Sequence, residues 1–223
     1  SFKGDIAEIV MFTRALTEKD RQLVESYLMS KWLPALSYNG GLKIAQPGTV
    51  DVNARNLRVT GLDNENGGGG VVTNAGSGPA TLTVNNAGNS TFSGRIAEGP
   101  TGALALYKTG AGDLVLSGGS SNAYTGLTTL QQGRIGMSKT NGVCAIGGNI
   151  LGIHNASPDI YATADNQFAP GALMYFSGAG EHVRFELLGT TQTLAGVDNS
   201  DSSGLGVIQH REQVTVAAVD GLS

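Results

Sequence analysis

One cysteine in 223 residues, Cys144, leaves no partner for an internal disulfide, so the fold has to be held by its core and its backbone. Set among small residues in "NGVCAIGG", that thiol reads as a small buried hydrophobe and not as a nucleophile. Charge is scarce too: 14 basic against 18 acidic side chains give a net charge of -4, and charged residues are 14% of the chain, against roughly 25% in ordinary soluble domains. With no run of Lys or Arg to follow a phosphate backbone, nucleic acid is excluded as a partner. No apolar run approaches the ~18 residues of a membrane-spanning helix, so no membrane span is expected in this segment. The opening "SFKGDIAEIV" lacks the charged-then-apolar layout of a signal peptide. Starting without Met, the chain reads as an excised piece or a mature fragment.

What is present in excess is glycine, 34 residues, with Asn, Ser and Thr supplying the polar surface. Such a composition weakens long helices and suits many short strands joined by tight turns, because Gly and Asn reach the positive φ values that turns require. Charge is also unevenly placed. Ten charged residues fall in the first 34 positions and 22 in the remaining 189, which places a boundary at Pro34 and predicts two regions, 1–34 and 35–223.

In the first region "DIAEIVMF" predicts a strand from Asp5 to Phe12 and "TEKDRQLVESYLMSKW" a helix. Thr17 is placed to cap that helix, Asp20 favours its first turn, and Leu23, Val24, Tyr27, Leu28 and Trp32 share one face. The stretch "FKGDIAEIVMFTRALTEKDRQLVESYLMSKW" resembles the last strand and trailing helix of a concanavalin A-like, laminin-G-type domain. Since any sugar or calcium site of that family would lie upstream, the resemblance implies no binding residue here, and Trp32 and Tyr27 read as core. The expectation is either the end of such a domain or a cap, with Asp5 to Trp32 folded over the N-terminal end of the second region.

The second region repeats. Leu82, Val84, Asn89, Phe92 and Gly94 line up with Leu114, Leu116, Asn122, Tyr124 and Gly126, at one constant offset that only the Asn pair exceeds, by a single position. Each copy is an alternating strand, a Gly/Asn/Ser turn, an aromatic and another strand, and its apolar face is covered only by stacking on its neighbours. The stretch "LYKTGAGDLVLSGGSSNAYTGLTTLQQGRI", with Lys108-Thr109-Gly110-Ala111-Gly112, Asn122-Ala123-Tyr124-Thr125-Gly126 and Gly133, resembles the autotransporter-associated β-strand repeat, or passenger-associated transport repeat. "ATLTVNNAGNSTFSGRI" resembles a degenerate preceding copy. The segment from Asp165 to Ile208, with Gln192-Thr193-Leu194-Ala195-Gly196, resembles the spacer that follows such repeats. The resemblance implies an all-β, right-handed parallel β-helix in an exported bacterial surface protein. Leu82, Val84, Leu114 and Leu116 suit its internal ladders. At roughly 20 to 30 residues a coil, residues 42 to 223 would make on the order of seven coils, a rod of about 30 to 35 Å.

Candidate chemistry is sparse. Asp63 with Glu65, and Asp198 with Asp201, are the nearest acid pairs, and both fall in turn-like stretches that fit no calcium loop. His154, His182 and His210 are evenly spaced along the chain, which would stack them on coils of that length, but their surroundings differ and no fourth ligand converges on them. Tyr107, Tyr124, Tyr161 and Tyr175 could form a sugar-stacking strip, although Tyr124 takes the position of Phe92 in the repeat, which favours packing. No nucleophile elbow or phosphate loop occurs. The expectation is therefore a non-enzymatic structural segment, a rigid stalk or passenger of a secreted or surface-anchored protein, with a possible adhesive surface. Surface glycans or other copies of the chain are its expected partners; no catalytic, cofactor or metal residue is assigned. A carbohydrate-binding fragment and a polysaccharide-degrading enzyme acting through Asp198 or Asp201 are the alternatives.

Overall fold

The computed structural model describes residues 36–37, 40–153, 159–177, 182–199 and 206–210, together with positions 15–17, 21 and 24. The chain divides into two compact units, Ser1–Leu36 and Ser37–Ser223. In the first, the Arg21 amide donates to the Thr17 carbonyl at 2.9 Å. The expected strand from Asp5 to Phe12, and with it the proposed cap, lies outside the described residues, as does nearly all of the expected helix.

The second unit is a parallel β-solenoid of about seven turns. β1 (Leu36–Ser37), β2 (Gly41–Ile44) and β3 (Thr49–Asp51) begin it. β4 (Leu57–Val59), β5 (Gly61–Asn64) and β6 (Val71–Asn74) make the next turn, and β7 (Ala80–Asn85), β8 (Ser90–Phe92) and β9 (Arg95–Glu98) the third. From there the third side shrinks to single bridging residues. β10 (Leu104–Thr109) and β11 (Asp113–Gly118) are followed by Ala123, β12 (Thr128–Leu130) and β13 (Arg134–Lys139) by Ile146, and β14 (Ile150–Ile153) and β15 (Asp159–Ala162) by Phe168. β16 (Leu173–Ser177), β17 (Val183–Glu186), β18 (Gly196–Asn199) and β19 (Gly206–Gln209) complete the described part.

One long sheet, sheet A, runs β1-β4-β7-β10-β12-β14-β16-β18, and a second, sheet B, runs β8-β11-β13-β15-β17-β19, with the pair β2-β5 before it. The third side is β3-β6-β9. Its degeneration follows from "GGSSNAYTG", where alternation stops and turn formers take over. Even there the backbone stays paired from turn to turn, as in Asn122 N to Cys144 O at 2.8 Å and Ala145 N to Gln167 O at 2.7 Å.

Because side chains alternate along a strand, every second residue enters the tube, and in-register stacking turns these into columns. Sheet A contributes Leu57-Leu82-Leu106-Thr128-Ile150-Met174, and sheet B contributes Leu114-Ile135-Ile160-Phe185 beside Phe92-Leu116-Met137-Ala162. Leu82, Val84, Leu114 and Leu116 are all fully buried, as expected for ladder residues, and each such aliphatic contributes roughly 1.5–3 kcal/mol.

The register corrects the repeat read from the sequence. Leu82 lies against Leu106, one turn on, while Leu114 lies against Ser90 and Leu116 against Phe92. Leu82 and Leu114 are therefore on different sheets, and the offset between them is a turn and a third. The misalignment arises because the sheet A to sheet B passage and the sheet B to third-side passage use the same pattern, an apolar alternation followed by Gly and Asn. For the same reason Tyr124 does not take the place of Phe92: Phe92 is a sheet B column residue, whereas Tyr124 follows the third-side bridge at Ala123.

Candidate functional site

The features that set this solenoid apart lie at its corners. Lys108 continues the inward series Leu104, Leu106 on β10, paired with Val84 on one side and Leu130 on the other, and it is fully buried. Its ammonium donates to the carbonyls of Thr109 at 2.8 Å, Gly110 at 2.7 Å and, from the next turn, Gln132 at 3.1 Å. Burial lowers its pKa to about 8, opposed by the nearby Asp113 carboxylate. This nest closes only around glycine. Gly110 and Gly133 have φ of 79° and 74°, and a Cβ on Gly133 would sit 2.4 Å from the Gly110 carbonyl oxygen and 2.9 Å from the Lys108 Nζ. Lys139, buried at the end of β13, repeats the device at the following corner, donating to Gly94 O at 3.0 Å and Ser117 O at 2.8 Å. Burial lowers it too to about 8, against the opposing influence of Cys144.

Amides and carboxylates staple the remaining corners to the turn above or below. Asn122 accepts from Ile96 N at 2.9 Å and donates to Ala145 O at 2.8 Å, holding three turns together. Gln167 accepts from Lys139 N at 2.8 Å, and Gln192 accepts from Gln167 N at 2.8 Å. Glu98 takes Thr125 N and its hydroxyl at 2.9 and 2.6 Å. Each bond of this kind contributes about 0.5–1.5 kcal/mol.

On the outer surface of sheet B, Asp113, Arg134, Asp159 and Arg184 stand in successive register, so that charge alternates from turn to turn. Arg134 reaches Asp113 at 3.5 Å and Asp159 at 3.8 Å, and Arg184 binds Asp159 through two hydrogen bonds of 2.8 and 3.1 Å. That contact raises the pKa of Arg184. Gly136 leaves room for the ring of Tyr161, which lies 4.3 Å beneath the Arg134 guanidinium and donates to Asp113 at 3.4 Å. Glu186, almost fully buried, takes Arg134 at 3.5 Å and Gln209 at 3.0 Å. These charges are engaged with one another along the sheet, an arrangement that braces successive turns.

Residues 106–135 match the family model described as Passenger-associated-transport-repeat. The match runs from Leu106 through Thr128, its in-register partner one turn later, and on to Ile135, the partner of Leu114. The repeat thus spans one complete turn and its overlap with the next, and it contains the whole Lys108 nest. No curated protein and no solved structure is detectably similar to the chain.

Around the repeat the other sequence candidates are dispersed. Asp63 accepts from Thr91 N at 2.9 Å and is 3.4 Å from the Ser90 hydroxyl, a corner staple, while Glu65 bridges to Gly68 in its own turn. Asp198 is exposed on β18, and Asp201 lies outside the described residues, as do His154, Tyr27 and Trp32. The turn that carries His182 closes from Val183 to Gly206, a shorter step than the one from His182 to His210, so these two histidines are not stacked. Among the described residues no three His, Cys, Asp or Glu side chains converge as metal ligands would. The Cys144 thiol donates to Ile146 O at 2.9 Å, and burial pushes it up to about 11, which makes it a poor nucleophile. Tyr124 is buried with its hydroxyl 2.6 Å from that of Thr128, so it packs. Tyr107, bonded to Gln131, and Tyr175 lie half-buried on the outer side of sheet A. Sequence reasoning does not reach the two buried lysines or the sheet B ladder; the signal for Lys108 is its place in the inward alternation of the repeat.

Proposed function

We propose that this chain is a non-enzymatic spacer in a passenger-type protein of the bacterial cell surface, its solenoid unit serving as a rigid rod that holds other parts of the molecule away from the cell and offers its outer faces to adhesion. The observation that supports this most is the coincidence of the passenger-associated transport repeat with a full, self-stapled turn of a parallel solenoid. The arrangement of the acids supports it as well. Asp63, Asp113, Asp159 and Glu186 are spent on bracing the turns, and Asp198 stands exposed on the surface. The repeat match favours a location outside the cell.

Cells producing the full-length protein, briefly treated with trypsin and washed, provide the test. Peptides from residues 40–210 should appear in the supernatant while a cytoplasmic marker stays in the pellet. Recovery of these peptides only after lysis would overturn the proposal.

A further inference from the structure

The outer side of sheet A differs from that of sheet B. One row crosses it in continuous register: Arg58, Thr83, Tyr107, Thr129, Leu151, Tyr175 and Asp198. The five central members are uncharged, and the two end members are exposed and of opposite sign. Flanking positions add aliphatic surface, with Leu127 39% exposed and Ile153 and Leu173 half-buried. A neutral, partly apolar sheet with a cation at one end and an anion at the other is complementary to itself in one orientation only.

We infer that sheet A is a homotypic contact through which two copies of this chain pack face to face with their solenoid axes antiparallel. A two-fold axis through Thr129, parallel to the strands, sets Arg58 of each copy opposite Asp198 of the other, Thr83 opposite Tyr175 and Tyr107 opposite Leu151. The parallel arrangement would oppose Arg58 to Arg58 and Asp198 to Asp198. The seven strands are three to six residues long, about 15 Å on average, and stand about 4.8 Å apart, so the face covers roughly 500 Å² per copy. A pair would bury about 1,000 Å², the size of a weak, transient interface. An acidic polysaccharide or a nucleic acid would meet no cationic row here, and a neutral glycan stacked on Tyr107 or Tyr175 would leave Arg58 and Asp198 without a partner. A second copy is the occupant that leaves no charge unmatched. The dimer would be weak and reversible, suited to contacts between molecules crowded on facing surfaces.

Sedimentation velocity of the full chain over a concentration series up to several hundred micromolar tests this. The wild type should dimerise, and Thr129→Lys, which sets like charges on the axis, should stay monomeric with an unchanged thermal midpoint. Arg58→Glu alone and Asp198→Arg alone should each weaken dimerisation about tenfold, and an equimolar mixture of the two should restore it, since each then supplies the charge the other opposes. A wild type that remains monomeric, a dimer indifferent to Thr129→Lys, or single reversals that mixing does not rescue would overturn the inference.

Discussion

Lys108 and Lys139 place ammonium groups where the tube would otherwise be aliphatic, and their behaviour with pH follows from that. Both have folded pKa values near 8 against 10.5 in an unfolded chain, so above pH 8 the unfolded state binds more protons and stability rises with pH. Cys144 has the opposite sign: held near 11 when folded and near 9 when not, it removes stability above pH 9. Urea midpoints should therefore climb from pH 7.5 to 9 and more gently from 9 to 10, where one cysteine offsets one of the two lysines, and the steeper climb should persist to pH 10 in a Cys144→Ala background. A midpoint that falls between pH 7.5 and 9 would contradict the buried placement of the lysines. Gly133→Ala tests the same corner more directly. With φ positive and a carbonyl in the way, it should cost at least about 1–2 kcal/mol in chemical denaturation. In the sequence Lys108 falls on an inward position of the alternation, but a lysine is read by default as a surface residue. Its third carbonyl comes from Gln132, a full turn away, and pairwise proximity across turns is visible only once the register is known.

At the level of strands the apolar alternation and the Gly/Asn turns make the all-β class legible, while the parallel stacking, and with it the approximate number of turns, is what the resemblance to the passenger-associated transport repeat implies. Phase is not legible. Three sides of one turn carry similar words, so the sequence alone matches Leu114 with Leu82 when its partners are Ser90 and Ile135. The charged ladder of sheet B is hidden for a related reason: the step from Asp113 to Arg134 is shorter than the step from Arg134 to Asp159, so its members share no fixed period. The column assignment itself can be checked. Leu114→Asp would bury an unpaired carboxylate and should lower stability by several kcal/mol, whereas Thr83→Asp, on the outer side of sheet A, should stay within about 0.5 kcal/mol of wild type. Equal effects in a urea titration would mean that the inside and outside of the tube have been exchanged.

Across the solenoid unit the hydrogen bonds of all three sides run between turns, and the last described strands, β18 and β19, leave Val197 and Ile208 about half exposed, at 48% and 49%. Those two residues extend the Met174 and Phe185 columns, so the interior design is indifferent to how many turns precede or follow. Stability is then a sum of neighbour terms, as in other stacked repeats. The contacts that reach past the next turn are long staples such as Lys139 to Gly94.

Such a stack has a mechanical corollary. Folded, one turn of chain, such as the step from Leu106 to Thr128 or from Leu57 to Leu82, advances the rod by only about 4.8 Å. Pulled out straight, the same stretch reaches about 75 to 85 Å. Under tension from both ends the unit should peel turn by turn, and an atomic force microscope trace should show a ladder of lengthening steps near that size, where a single cooperative rupture would rule it out. A tether built this way lengthens under a tug before it lets go, in the manner of a fishing reel with its drag set.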